Sequence, residues 1–317
     1  MDSMYSGLLE EIAKKISSDA TSVEEAASII RSALADLKSD KDKGESVKIH
    51  SVGAMDSEAL SKYEQFFQAW LGLSVTRMKS ASGILIASND QLKHKALGWM
   101  LYVPVFAFET EAATFVSCIP EWVENIRSLL DGKNVADAIP LLNAAYNQGA
   151  PLSEQYYMLY GLEALNETID TSRAILLGKE HRGQLYAFFK RIYPTMFSYV
   201  DYDEWVTKDF PDMVEKEVHF CVFEGDEIVC VTESENTAGK PSGVINLGVN
   251  TLKEHRRKGY AAAACAAFIE RHVGLGNMPI WKCAFTNAAS RALAEKLGFR
   301  HMGNVFTVTS IKNPVGE

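Results

Sequence analysis

The stretch Lys253–His272, KEHRRKGYAAAACAAFIERH, decides how this chain is read. Three consecutive cations, Arg256, Arg257 and Lys258, precede a single glycine, Gly259, and then a bed of alanines. Alanine is the best helix former, and the spacing predicts a helix from about Lys258 with Ala262, Cys265, Ala266, Ile269 and Val273 on one narrow apolar face. The first backbone N–H groups of such a helix have no partner within it, and its dipole places about half a positive charge there. That end is a ready anion site. Gly259 would let a bulky anion approach the backbone, and Ala261 and Ala262 keep the next turn free of obstructing side chains. Taken alone, the stretch reads more simply as a solvated basic turn before an alanine-rich helix.

Composition narrows the choice. A chain of 317 residues with 47% hydrophobic content can bury a sizeable core, and its length suits two domains better than one. Its 32 basic residues against 41 acidic ones give a net charge of −9, which argues against a general nucleic-acid binder and leaves the basic cluster as a local feature for a small anion. Five cysteines, none in zinc spacing, imply free thiols in a reducing compartment and no metal site. The N-terminus has no basic region ahead of an apolar core, and no window approaches the roughly 20 apolar residues of a membrane span. The expectation is a cytoplasmic protein with no membrane or nucleic-acid partner; a homodimer is left open.

Along the chain, Leu8, Ile12 and Ile16 mark one amphipathic helix and Val23 to Leu37 a second, before a charged hinge at 38–46. A helix follows at about 58–71, then strands at 83–88, 103–109 and 114–119, then helices after Pro120 and at about 135–146. NQGAPLS at 147–153 has the turn-formers of a boundary, and one more helix is expected up to about Leu165. This divides the chain into an N-terminal helix-rich mixed domain, 1–165, and a C-terminal domain, 166–317. From Thr171 the elements read β-α-α-β-β-β-α-β-α-β, with Gly225-Asp226 as a hairpin turn, SGVINLGVNT as one strand, Asn287 capping the last helix and Gly298 stopping it.

In that setting Arg256-x-x-Gly259-x-Ala261, lying between a strand and a helix and followed by Asn287 and Lys296-Leu297-Gly298-Phe299, resembles the GCN5-related N-acetyltransferases. The resemblance covers roughly residues 171–312. It implies an α/β (α+β) chain whose C-terminal part is a mixed, mostly antiparallel sheet flanked by helices, the N-terminal part being of unknown role or a degenerate half of the same kind. It also implies an acyltransferase whose donor is acetyl-coenzyme A. The pyrophosphate would lie on the backbone amides of Arg257, Lys258, Gly259, Tyr260, Ala261 and Ala262, with the cations of Arg256, Arg257 and Lys258 beside it. Val249, Asn250 and Thr251 would run along the pantetheine arm, a backbone N–H there meeting the developing oxyanion, and Asn287 would touch the same cofactor.

The catalytic positions depart from the family pattern. Where relatives carry a strand glutamate this chain has Ile245, and where they carry a helix tyrosine it has Ala294. Glu233, Glu235 and His219 are therefore the candidate proton acceptors, each with a plain structural role as its alternative. Tyr193, Tyr199 and Tyr202 are the candidates for the acceptor pocket, whereas Phe197 and Trp205 read as core. The reading is an N-acetyltransferase for a primary amine of a small molecule; a protein lysine or N-terminal acetyltransferase, and a non-catalytic acyl-coenzyme A sensor or scaffold, are its alternatives.

Overall fold

A computed structural model describes residues 57–314 apart from 75–76, 79, 95–101, 148–151, 153–155 and 235–242. The two N-terminal helices, the charged hinge, much of the boundary stretch 147–153 and Glu235 lie outside the described residues. The chain runs α1 (Ser57–Leu71), β1 (Gly83–Ser88), β2 (Tyr102–Glu109), β3 (Ala113–Cys118), α2 (Val123–Leu130), α3 (Val135–Tyr146), β4 (Tyr156–Leu162) and β5 (Ala174–Leu176). It continues through α4 (Arg182–Ile192), α5 (Pro194–Phe197), α6 (Tyr202–Lys208), α7 (Phe210–Glu215), β6 (Phe220–Glu224), β7 (Glu227–Glu233), β8 (Val244–Asn246) and β9 (Gly248–Thr251). It ends with α8 (Tyr260–Gly274), β10 (Met278–Ala284), α9 (Ala288–Leu297) and β11 (Phe299–Ser310).

The described residues divide into two compact units. Of the described residues, one draws on those within 57–164, 243–246 and 276–314, the other on those within 165–234 and 247–275.

The first unit is built on a seven-stranded sheet in the order β1-β3-β2-β11-β4-β10-β8. β1 with β3 and β10 with β8 are parallel, and the remaining neighbours are antiparallel. Tyr63, Phe66, Phe67 and Leu71 of α1 cluster with Phe106, Phe108 and Phe115 of the sheet. Tyr63 also pins α1 through its hydroxyl, which accepts from Leu162 N (2.7 Å) and donates to Pro279 O (2.9 Å). Removing that hydroxyl would strand two buried backbone groups, a loss of about 1–3 kcal/mol. A second cluster joins Ile126, Leu130, Ile139 and Leu142 of α2 and α3 to Val105, Val116 and Phe306.

Two expectations fail here for physical reasons. YYMLYGL is strand β4 and not a helix. β4 lies between β10 and β11, so both of its edges are hydrogen-bonded and both faces covered, and its near-continuous apolar run carries no alternation that would mark it as a strand. β11 begins at Phe299, five residues before the expected Asn304, because a bulge between His301 and Gly303 breaks its period without ending its pairing with β4.

The second unit carries an antiparallel four-stranded sheet in the order β5-β6-β7-β9. Phe220 of β6 meets Phe268 of α8 (6.4 Å between rings), and its neighbour His219 meets Phe189 of α4 (6.3 Å), so the two helices cover opposite faces. The helix α8 is buried nearly all round, from Ala262 through Ile269, while Val273 is 43% exposed. The expected narrow face is thus corrected: alanine side chains are small enough for every side of the helix to be closed over. The stretch SGVINLGVNT is likewise two short strands, broken at the buried Leu247, with β8 in the seven-stranded sheet and β9 at the edge of the four-stranded one. The one local sign of the break is Gly248, which opens β9 directly after it.

Candidate active site

Between β9 and α8 the chain makes a short 3-10 turn, Lys253–His255, and then the basic loop. Arg257 adopts φ +66° and Gly259 φ +85°, both in the left-handed region. A Cβ placed on Gly259 would have no atom within 4 Å, so the space in front of it is open. No side chain caps the 15-residue α8, and its first intrahelical bond runs from Ala263 N to Gly259 O at 3.1 Å. The N–H groups of Tyr260, Ala261 and Ala262 therefore stand ahead of the helix ladder, at the positive end of its dipole.

The three cations behave differently. Lys258 Nζ donates to Glu224 Oε1 at 2.9 Å. The Tyr260 hydroxyl donates to the same oxygen, and His255 Nδ1 lies 3.1 Å from Glu224 Oε2. Lys258 first, and then Tyr260, hold the Glu224 carboxyl down at about 2. Arg256 Nε donates to Thr251 O at 3.2 Å, whereas Arg257 is exposed and makes no ion pair among the described residues. Arg191, at the end of α4, joins Glu227 of the β6–β7 hairpin to Glu254 of the 3-10 turn. The loop is thus moored at two points, and its tip stays open. Nothing in the sequence singled out Glu224, which lies 34 residues from Lys258.

Three residues expected in separate roles come together. The buried Tyr193, between α4 and α5, donates its hydroxyl to Glu233 Oε2 at 2.9 Å and Oε1 at 3.1 Å. Asn250 Nδ2 donates to the Tyr193 hydroxyl at 2.7 Å and to Glu233 Oε1 at 2.9 Å. Glu233 closes β7 opposite Gly248, and Asn250 lies opposite Val231, so the register of β7 with β9 sets the triangle. Val249, Asn250 and Thr251 form an edge strand whose outer side has no strand partner within its sheet.

His219 is elsewhere. It is 5% exposed, its Nδ1 lies 2.8 Å from Thr232 O, and burial pulls its imidazole down to about 4. Tyr199 and Tyr202 are surface residues, 37% and 38% exposed, Tyr202 packing edge-on against Tyr186. Phe197 and Trp205 are core, as expected. In the other unit Asn287 caps α9, its side chain accepting from Ser290 N at 3.0 Å, and Ala294 is fully buried. All five cysteines are buried and unbridged. Among the described residues no helix is long and apolar enough to cross a membrane, and no group of three or more His, Cys, Asp or Glu is placed to hold a metal ion.

Residues 202–306 match the family model for the GNAT acetyltransferase. Over that third of the chain, in its C-terminal part, the protein is similar to the GNAT acetyltransferases. No curated protein sequence matches it. Among solved structures, a GNAT acetyltransferase from Colwellia psychrerythraea aligns at 13% identity over 83% of this chain and 100% of its own, with a TM-score of 0.46. A GCN5-related N-acetyltransferase-like protein from Streptococcus suis aligns at 14% identity over 80% and 99%, with a TM-score of 0.37. A GCN5-related N-acetyltransferase from Sphaerobacter thermophilus aligns at 13% identity and a TM-score of 0.37, over 50% of this chain and only 52% of its own. The GNAT match begins at Tyr202, so Glu224, Glu233, Asn250 and the Gly259 turn lie inside it and Tyr193 lies ahead of it.

Proposed function

We propose that the domain transfers an acetyl group from acetyl-coenzyme A to a primary amine of a small molecule. The observation that carries this is the loop tip: a left-handed Gly259 with open space in front of it, leading into an uncapped 15-residue helix. A pyrophosphate fits there, on the N–H groups of Tyr260, Ala261 and Ala262 with Arg257 beside it. Lys258 would serve indirectly, by mooring the loop on Glu224. The open edge of β9, Val249 to Thr251, would pair with the amides of a pantetheine arm as a strand would. When bound, the coenzyme supplies an acyl thioester, already activated toward amines.

An amine is mostly protonated near neutral pH and must lose a proton before it can attack. Glu233 is the group this chain offers, its carboxylate oriented by Tyr193 and Asn250. His219, enclosed in the core, is out of reach of a substrate. The buried, unbridged thiols support a cytoplasmic enzyme.

The test is the melting temperature with and without acetyl-coenzyme A, with AMP as the phosphate control, followed by thiol release across a panel of amines. A ligand at a hundredfold excess over Kd stabilises by about 2.7 kcal/mol. A rise with the thioester alone, and thiol release with small amines, is the expected result. Turnover with lysine or N-terminal peptides only would move the acceptor to proteins; binding without turnover would make the domain an acyl-coenzyme A sensor. No rise at millimolar thioester would remove the reading altogether.

A further inference from the structure

One guanidinium ties three elements of the unit built on the four-stranded sheet. Arg191 lies in the last turn of α4, and its two terminal nitrogens take separate carboxylates: Nη1 donates to Glu227 Oε1 on the first residue of β7, and Nη2 to Glu254 Oε1 in the 3-10 turn ahead of the basic loop. The partners lie 36 and 63 residues away in sequence, so both contacts fix tertiary structure and neither is a pair along one helix.

The charge of this group has the wrong sign for its place. Two carboxylates against one cation leave it net negative, and Glu254 stands five residues before Gly259, at the turn read as an anion site. Attraction for phosphate therefore does not account for it. Nor does global stability, because the Arg191 side chain is 43% exposed and its partners 50% and 52%, and ion pairs as open as these contribute little. What the group supplies is geometry. A planar guanidinium bound to carboxylates on two separate elements fixes the end of its own helix against both.

That helix end also carries Tyr193. α4 closes at Ile192, and Tyr193 N bonds back to Phe189 O at 2.7 Å, so the turn that holds Arg191 sets the backbone of Tyr193. The Tyr193 hydroxyl donates to Glu233, the last residue of β7, while Arg191 holds Glu227, the first. The end of α4 is thus fastened to both ends of β7 and, through Glu254, to the coenzyme loop.

We propose that Arg191 is a positioning residue that couples the coenzyme loop to the base, fixing the loop through Glu254 and fixing the tyrosine that orients Glu233 through the last turn of α4. The proposal rests on the acetyltransferase reading and adds to it the device that sets its two halves together.

The test uses the full chain. The Kd for acetyl-coenzyme A reports on the loop, and thiol release with the best amine of the panel, at saturating coenzyme, reports on the base. Arg191→Met should weaken acetyl-coenzyme A binding about three- to tenfold and lower kcat, and adding Tyr193→Phe should lower kcat little further, because both changes release the same carboxylate. Arg191→Lys, whose compact ammonium cannot span both carboxylates, should recover part of each loss. Glu254→Ala decides between charge and positioning: it removes a negative charge near the pyrophosphate, which by attraction alone tightens binding, whereas loss of the tie weakens it several-fold. Melting temperatures without ligand should fall by no more than about 2–4 °C in each variant. Tighter binding in Glu254→Ala, an unchanged Kd in Arg191→Met, or losses of kcat from Arg191→Met and Tyr193→Phe that simply multiply would overturn the proposal and leave the acyltransferase reading standing. Failure of the unaltered chain to bind acetyl-coenzyme A, or to release thiol with any amine, would remove both.

Discussion

The hydroxyl of Tyr193 donates to both carboxylate oxygens of Glu233, at 2.9 and 3.1 Å, across 40 residues of sequence. With Asn250 Nδ2 donating to Oε1 and to the Tyr193 hydroxyl, Glu233 is held in one orientation. If it takes the proton from the acceptor amine, Glu233→Gln keeps the shape and removes the base. Turnover should then fall by about 10²–10⁴-fold with the Kd for acetyl-coenzyme A unchanged. Tyr193→Phe should cost less, because it loosens the carboxylate without deleting it. Equal losses in turnover and in coenzyme binding would make the triangle structural.

Gly259 admits a sharper test. At φ +85° any other residue is strained by about 1–2 kcal/mol, yet no atom stands where a Cβ would go. Gly259→Glu and Gly259→Arg should therefore fold, melt a few degrees lower and lose the melting shift with acetyl-coenzyme A, because the side chain fills the anion site. Gly259→Ala should show the same strain with only a partial loss of binding. Full retention of the shift in the glutamate variant would place the anion elsewhere.

Glu224 separates charge from mooring. The carboxylate repels an anion at the loop tip, yet it fixes His255, Lys258 and Tyr260. Its carboxyl is held below the usual range, so this mooring is present above about pH 4.5 and is lost only as the pH falls toward about 2. Glu224→Gln retains an acceptor for Tyr260 and removes the negative charge, and should tighten acetyl-coenzyme A binding about twofold at low salt. Glu224→Ala removes the mooring and should weaken binding several-fold, with kcat at saturation little changed. Identical titrations for the two variants would show that mooring contributes nothing.

The loop, its helix and the two capping residues of α9 were legible because each depends on local chemistry: an uncapped alanine helix, a glycine at positive φ, an Asn N-cap and a Gly C-cap. What could not be read depends on partners distant in sequence. YYMLYGL became a strand only because β10 and β11 flank it, and Asn250 faces Tyr193 only because β9 pairs with β7 in one register. Glu233 was singled out from its strand end, but the hydroxyl that orients it belongs to a residue chosen for a different role. Glu109 ends a strand expected at 103–109, but its side-chain partners Tyr156 and Asn304 lie 47 and 195 residues away, so nothing near it in the sequence marks it.

His219 gives the protein a built-in acid lability. Burial pulls its imidazole from 6.5 to about 4, so between those values the unfolded chain binds more protons than the folded one and stability falls as the pH is lowered. The favourable contribution is fully present above pH 6.5, declines below it and is gone near pH 4, a loss of roughly 3 kcal/mol. His272, also pushed down by burial, acts in the same direction. Thermal melts from pH 7.5 to 4 should show this decline. His219→Asn can keep the hydrogen bond to Thr232 O from its amide nitrogen while removing the titrating ring. It should be less stable at pH 7, because it leaves a cavity, and should decline less steeply in acid. A parallel decline in the variant would assign the acid lability to the carboxylates and leave His219 as packing alone.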